Sequence, residues 1–144
     1  FSVYSLQFTE KSKLGCGGPS KVTMLTTYRE LIVWQGAIEL VKEIYGITKL
    51  LPKDELYGLV SQMRRAAVSI PSNIAEGQQR KNLKEFLQFL RVSYGSAAEL
   101  ETQLIISKEM YSDINFLKAE SLLKEVHKML NTIIRKLESK NTKF

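Results

Sequence analysis

Residues 116–140 read FLKAESLLKEVHKMLNTIIRKLESK, and their spacing decides the fold. Phe116, Leu123, Leu130 and Leu137 lie seven apart, with Ala119, Val126 and Ile133 between them. An apolar residue alternately three and four positions on keeps returning to one side of an α-helix. Leu122, Met129 and Ile134 widen that side beyond the seam of a two-stranded coiled coil, so this helix calls for more than one neighbour.

The same period recurs upstream. Over residues 83–110, Phe86, Leu90, Ala97, Leu100 and Leu104 form one row, and Leu87, Tyr94, Ala98 and Ile105 the next. Gly95, Ser96, Ala97 and Ala98 are small enough there for another backbone to come close, and residues 111–115 read as a turn. From Thr26, Leu31, Trp34, Ile38, Val41 and Tyr45 step by three or four, with Val33, Ala37, Leu40 and Ile44 in an adjacent stripe. Thr26 or Thr27 can cap that helix, and Pro52 ends it by driving the preceding residue out of the α region.

A second helix is predicted to begin near Lys53–Asp54, where Asp54 suits the positive end of the helix dipole; its stripe is Leu56, Val60, Met63, Ala67 and Ile70. Pro71 then removes a backbone donor and crowds the carbonyl of Ala67. Either the helix kinks and runs on to about Gln79, or it stops and restarts with Asn73 and Glu76 as a capping box. Ile74 and Ala75 continue the stripe, which favours the kinked helix. Gly77 and the polar residues 78–82 form the next connection.

Four long helices with short connections, and no strand-like alternation in residues 24–144, predict an all-α, antiparallel up-down-up-down four-helix bundle with a kinked second helix. Val33, Phe89, Val92 and Leu122 are left over for the outside, which predicts a homo-oligomer. The domain is placed at residues 24–144. Residues 1–23, broken up by Gly15, Gly17, Gly18 and Pro19, have no helical stripe. They read as a tail outside the domain, an addition ahead of a natural start at Met24, or an arm that packs elsewhere.

Composition narrows the function. The chain has 144 residues, 44% hydrophobic and 25% charged, with no apolar run of bilayer-crossing length. A single cysteine (Cys16) permits no internal disulfide, and a single histidine (His127) has no ligand partner three or four residues away. Glu99 and Glu101 bracket Leu100 and diverge around their helix; they and Glu85 are expected to pair with Arg64, Arg65 and Arg91. Ser69, Ser72 and Ser93 lack a histidine base in any readable motif. Gly15–Gly18 lacks the lysine and preceding strand of a phosphate loop. Neither an enzyme, a metal, a cofactor nor a membrane partner is expected; the expected setting is the reducing, aqueous cytoplasm.

The net charge is +6, and its placement is uneven. Between residues 62 and 84, Arg64, Arg65, Arg80, Lys81 and Lys84 face only Glu76, which is the whole cationic surplus of residues 24–144. Phosphate contact and a merely solvated basic face weigh evenly on charge alone. With little aromatic interleaving, any binding is expected to address backbone and shape rather than unstacked bases.

The run RRAAVSIPSNIAEG, residues 64–77, resembles the signature of the bacterial 23S rRNA intervening-sequence protein family, also called the S23 or four-helix-bundle family. Leu31-Ile32-Val33-Trp34 with Ala37, Tyr57-Gly58-Leu59, Gln62, Phe86, Phe89-Leu90, Gly95-Ser96 and residues 99–104 fit the same pattern, so the resemblance covers Met24 to about Lys140. It implies an antiparallel bundle assembled into a ring-like homopentamer. The family name reflects a genomic location within 23S rRNA genes. Related accessory variability determinants of diversity-generating retroelements bind nucleic acid and associate with a reverse transcriptase. The expected partners are therefore further copies of the chain, RNA or DNA, and a protein partner. Arg64 and Arg65 match the family's paired arginines, Arg80 its basic residue after the turn, and Pro71 its proline; with Lys81 and Lys84 added on charge, Arg64 or Arg65 together with Arg80, Lys81 and Lys84 are expected to contact anions. Pro71, Asn73 and Gly77 are expected to be structural, Asn73 satisfying the carbonyl that Pro71 frees.

Overall fold

The computed structural model describes residues 27–142. They form four α-helices: α1 (Ile32–Thr48), α2 (Leu59–Gln79), α3 (Leu83–Met110) and α4 (Leu117–Asn141). Among the described residues there is no strand. Short 3-10 turns at Tyr28–Glu30 and Lys53–Glu55 lead into the first two helices. The placement of residues 1–23 as a tail lies outside the described residues, as does a cap at Thr26.

α4 and the Phe86–Leu104 row of α3 bury the stripes their period specified; of the neighbouring α3 row only Leu87 is buried, Tyr94, Ala98 and Ile105 being exposed, and Leu56 is exposed ahead of α2 rather than on its stripe. Leu40, Ile44, Met63, Ile70, Ile74, Leu90, Leu100, Leu104 and Leu130 are fully or almost fully buried in one core. Burying a large aliphatic side chain stabilises by roughly 1.5–3 kcal/mol, so this core dominates the fold. α1 packs on α2 and α4, and α3 packs on α2 and α4, which closes a four-helix bundle. Met63, Ser69 and Ile70 of α2 meet Ser107, Ser96 and Ser93 of α3. Lys108, Glu101 and Arg91 of α3 meet Glu120, His127 and Glu138 of α4.

Three local readings change. The second helix begins later than expected, at Leu59, because Lys53–Glu55 is a separate turn and Gly58 is the N-cap. Val33 is fully buried rather than outside: the Val33–Ala37–Leu40–Ile44 stripe faces the core, and Trp34, Val41 and Tyr45 lie on its outer margin. Phe89 and Leu122 are half-buried, so of the four outward candidates only Val92 is well exposed.

α2 continues through Pro71 without interruption. The proline withdraws a donor from the Ala67 carbonyl. Side chains donate instead to the three carbonyls that follow it: Ser72 to Val68 O at 2.8 Å, Asn73 Nδ2 to Ser69 O at 2.7 Å, and Ser93 Oγ to Ile70 O at 3.0 Å. Asn73 is thus structural, but it serves Ser69 and not the carbonyl that the proline frees.

Gly77 belongs to the body of α2 rather than to a connection. A Cβ there would lie 2.6 Å from Phe89 Cβ and 3.1 Å from Phe86 Cδ2, so only glycine lets α3 come this close. The small residues of α3 serve the same approach: Ser93, Ser96 and Ala97 are buried, whereas Gly95 and Ala98 face outward. The connection itself is three residues long, Arg80 to Asn82. Lys81 takes a left-handed φ of 54°, and Asn82 caps α3 by accepting from Glu85 N at 3.1 Å.

Candidate nucleic-acid interface

The five basic residues singled out in the sequence do not form one patch. Arg65 and Arg80 are fifteen residues apart on a continuous helix, about 22 Å of rise at 1.5 Å per residue. Arg64 and Arg65 therefore sit toward one end of the bundle, and Arg80, Lys81 and Lys84 at the other.

Consecutive positions on a helix diverge by about 100°, and the arginine pair shows the consequence. Arg64 turns inward. Its Nε donates to Thr48 Oγ1 at 2.9 Å, and its guanidinium lies over the Tyr45 ring at 4.6 Å. Thr48 in turn donates to Ile44 O at 2.7 Å. This side chain ties α2 to α1 and is only partly accessible. Arg65 is exposed and lines a shallow polar cleft with Gln62, Ser69, Ser96 and Glu99. The expected glutamate partners also change: Arg91 pairs with Glu138 at 2.7 Å, and Glu99 accepts from Gln103.

At the α2–α3 turn, Arg80 pairs with Glu76 one helical turn back at 2.9 Å and rests over Phe89 at 5.5 Å. The bond and charge of Glu76 push its pKa further up. Half of the Arg80 side chain stays exposed, and an exposed pair of this kind holds it weakly. Lys81 and Lys84 are exposed and form no ion pair with another described residue.

The fold adds cations that are far away in sequence. The Arg91–Glu138 pair brings the last turns of α4 beside the start of α3, carrying Arg135, Lys136 and Lys140 to the same end. Arg29 joins them from the turn before α1. This end, residues 27–38, 70–96 and 130–142, holds eight Lys/Arg against four Glu. The remaining described residues hold nine Lys/Arg against ten Asp/Glu. Arg29, Arg135 and Lys136 are not conspicuous in the sequence because the charges of residues 24–61 and 85–144 sum to zero, the cationic excess of α4 being offset by acidic residues elsewhere; only the fold puts them beside the α2–α3 turn.

The opposite end is organised by a carboxylate. Glu55 Oε1 accepts from the Tyr111 hydroxyl at 2.6 Å and Oε2 from Leu59 N at 3.1 Å, joining the α1–α2 and α3–α4 connections. The phenol bond first, then the amide, hold the Glu55 carboxyl below the usual carboxylate range, and the same bond raises the phenol. His127 sits between α3 and α4, its ring 4.6 Å from that of Tyr94 and its Nδ1 4.0 Å from Glu101. Among the described residues no group of three or more His, Cys, Asp or Glu could hold a metal, and no helix is long and apolar enough to cross a membrane.

A four-helix bundle with a charge-segregated pair of ends is what the described residues define. Residues 29–132 match the family model described as 23S rRNA-intervening sequence protein, and the chain belongs to that family. Among solved structures it is similar to a protein with unknown function from the S23 ribosomal protein family of Bacteroides thetaiotaomicron VPI-5482. That similarity has 25% identity and a TM-score of 0.64, covering 72% of this chain and 96% of the other. No curated protein matches the chain.

Proposed function

We propose that the protein is a non-catalytic, homo-oligomeric helical bundle, a pentameric ring by family resemblance, that binds RNA or DNA through the basic end of the bundle. The helices run up-down-up-down; the opposed numbering of the α2–α3 and α3–α4 contacts supports that order. The observation that carries the binding reading is the convergence of Arg80, Lys81 and Lys84 with Arg135 and Lys136 at one end of an otherwise nearly neutral molecule. Such a cluster recognises phosphates by charge and displaces their counterions. Arg64 drops out of the expected contact set because its side chain is committed to Thr48 and Tyr45.

The test is fluorescence anisotropy with duplex RNA, single-stranded RNA and duplex DNA across a range of salt. Binding should weaken steeply with salt, and the variant Lys81→Ala/Lys84→Ala/Arg135→Ala/Lys136→Ala should flatten the log–log slope by about 0.9 for each phosphate contact removed. No binding at low salt to any of the three would refute the reading. A second reading, an assembly scaffold without a nucleic-acid role, draws on the apolar side chains exposed on α1–α2 and α3.

A further inference from the structure

A cleft of about 610 Å³ opens between α3 and α4, a volume in the range of small-molecule and cofactor sites. Leu104, Ile105 and Leu123 contribute its apolar lining. Tyr94 lines it too, 39% exposed, with its ring 4.6 Å from that of His127. Lys124 and Lys128 border the cleft from α4; both are exposed, and neither forms an ion pair with another described residue. Two carboxylates lie along it as well. Glu120 is held by Lys108 at 2.9 Å, and Glu101 stands 4.0 Å from His127 Nδ1.

The two lysines continue a longer row. Lys124, Lys128, Asn131 and Arg135 step by four, three and four, which keeps them on one face of α4 over about 16 Å. Arg135 belongs to the basic end, so the row leads from that end into the cleft. The cations of residues 62–84 have little aromatic interleaving in sequence; here the fold sets an aromatic ring of α3 beside the lysines of α4. We infer that an unpaired stretch of RNA leaves the basic end along this row and lays a base in the α3–α4 cleft. The base seats against Tyr94 and the apolar lining, while the neighbouring phosphates meet Lys128 and Lys124. Glu101 repels a phosphate, but its carboxylate accepts a hydrogen bond from a ribose hydroxyl, and DNA has none at the 2′ position. A duplex keeps its bases paired and stacked, so it contacts the basic end and not the cleft. The inference rests on the nucleic-acid part of the proposed function and adds where an unpaired strand runs and which sugar it carries.

The experiment measures anisotropy of the full chain with three fluorescein-labelled probes of one sequence: single-stranded RNA, single-stranded DNA and duplex RNA. The wild type should favour RNA over DNA single strands, and Glu101→Gln should narrow that preference. Tyr94→Ala should weaken single-stranded RNA binding by about tenfold, the loss of one stacked base, while Tyr94→Phe keeps it. Lys124→Gln/Lys128→Gln should also weaken it and flatten its log–log salt slope by about 1.4, two single-strand phosphate contacts. Neither cleft variant should change duplex affinity appreciably. Circular dichroism checks the fold, and Tyr94→Leu, apolar without an aromatic face, replaces Tyr94→Ala if that variant misfolds. A wild type that binds none of the three probes at low salt would defeat the proposed function and this inference with it. Cleft variants that bind single-stranded RNA like a wild type that binds the duplex, or that lose duplex affinity equally, would overturn the inference alone. So would a wild type that binds RNA and DNA single strands equally.

Discussion

The two ends of this bundle are built from similar parts and hold their charges differently. At the end bearing the α1–α2 and α3–α4 connections, charge is spent on structure: Glu55 bridges Tyr111 and Leu59, and Arg64 bridges Thr48 and Tyr45. At the end bearing the α2–α3 turn, backbone closeness does that work, through Gly77 against Phe89, and several cations are left to solvent. The contrast teaches that a basic residue's position in sequence says little about its availability. Arg64 and Arg65 are neighbours, yet one is a tie between helices and the other is exposed.

The largest expected effect breaks the seam at the basic end. Gly77→Ala puts a methyl carbon 2.6 Å from Phe89 Cβ, and overpacking of this kind costs about 1–3 kcal/mol or more. Urea denaturation should show the midpoint fall with little change in slope. Next, Arg64→Ala should lower stability by about 1 kcal/mol, through loss of the Thr48 bond and the contact with Tyr45, while leaving nucleic-acid affinity nearly unchanged. Lys81→Gly should do the reverse. It relieves a left-handed φ and should stabilise by about 0.5–1 kcal/mol, yet weaken anion binding by removing an exposed cation.

The smallest effect concerns the carboxylate latch and is read through pH. The folded-state pKa of Glu55 lies below its unfolded value, so the latch's contribution is complete above about pH 4.3 and is lost as pH falls through the lowered folded pKa. Glu55→Gln should therefore reduce stability at neutral pH and make it less sensitive to acid, as measured by thermal melts from neutral to acidic buffer. An unaltered acid response would show that the latch does not contribute. Gly58→Ala should act on the same latch, since a Cβ there would lie 2.7 Å from Glu55 Oε2.

Helices were legible because apolar spacing is a local property. The bounds of α3, the turn at residues 111–115 and the continuity of α2 through Pro71 all follow from period and from the stripe beyond the proline. Two parallel stripes on α1 carry no label saying which faces inward, so Val33 read as an outer residue and is core. Gly77 read as a turn residue because a glycine beside a polar run usually is one. Its true constraint, the Cβ of Phe89 on another helix, is a tertiary fact. The basic site was half legible. Arg80, Lys81 and Lys84 are adjacent in sequence, but Arg135 and Lys136 reach them only through the return of α4.

The proposed nucleic-acid contact lies at the basic end and not at the arginine pair. Salt-dependent anisotropy of Lys81→Ala/Lys84→Ala/Arg135→Ala/Lys136→Ala beside Arg64→Ala/Arg65→Ala tests it most directly. The fourfold variant should lose most of its affinity and about 3–4 of its log–log salt slope, while the arginine-pair variant should keep nearly all of both. Loss confined to the arginine-pair variant, with the fourfold variant binding like the wild type, would contradict it.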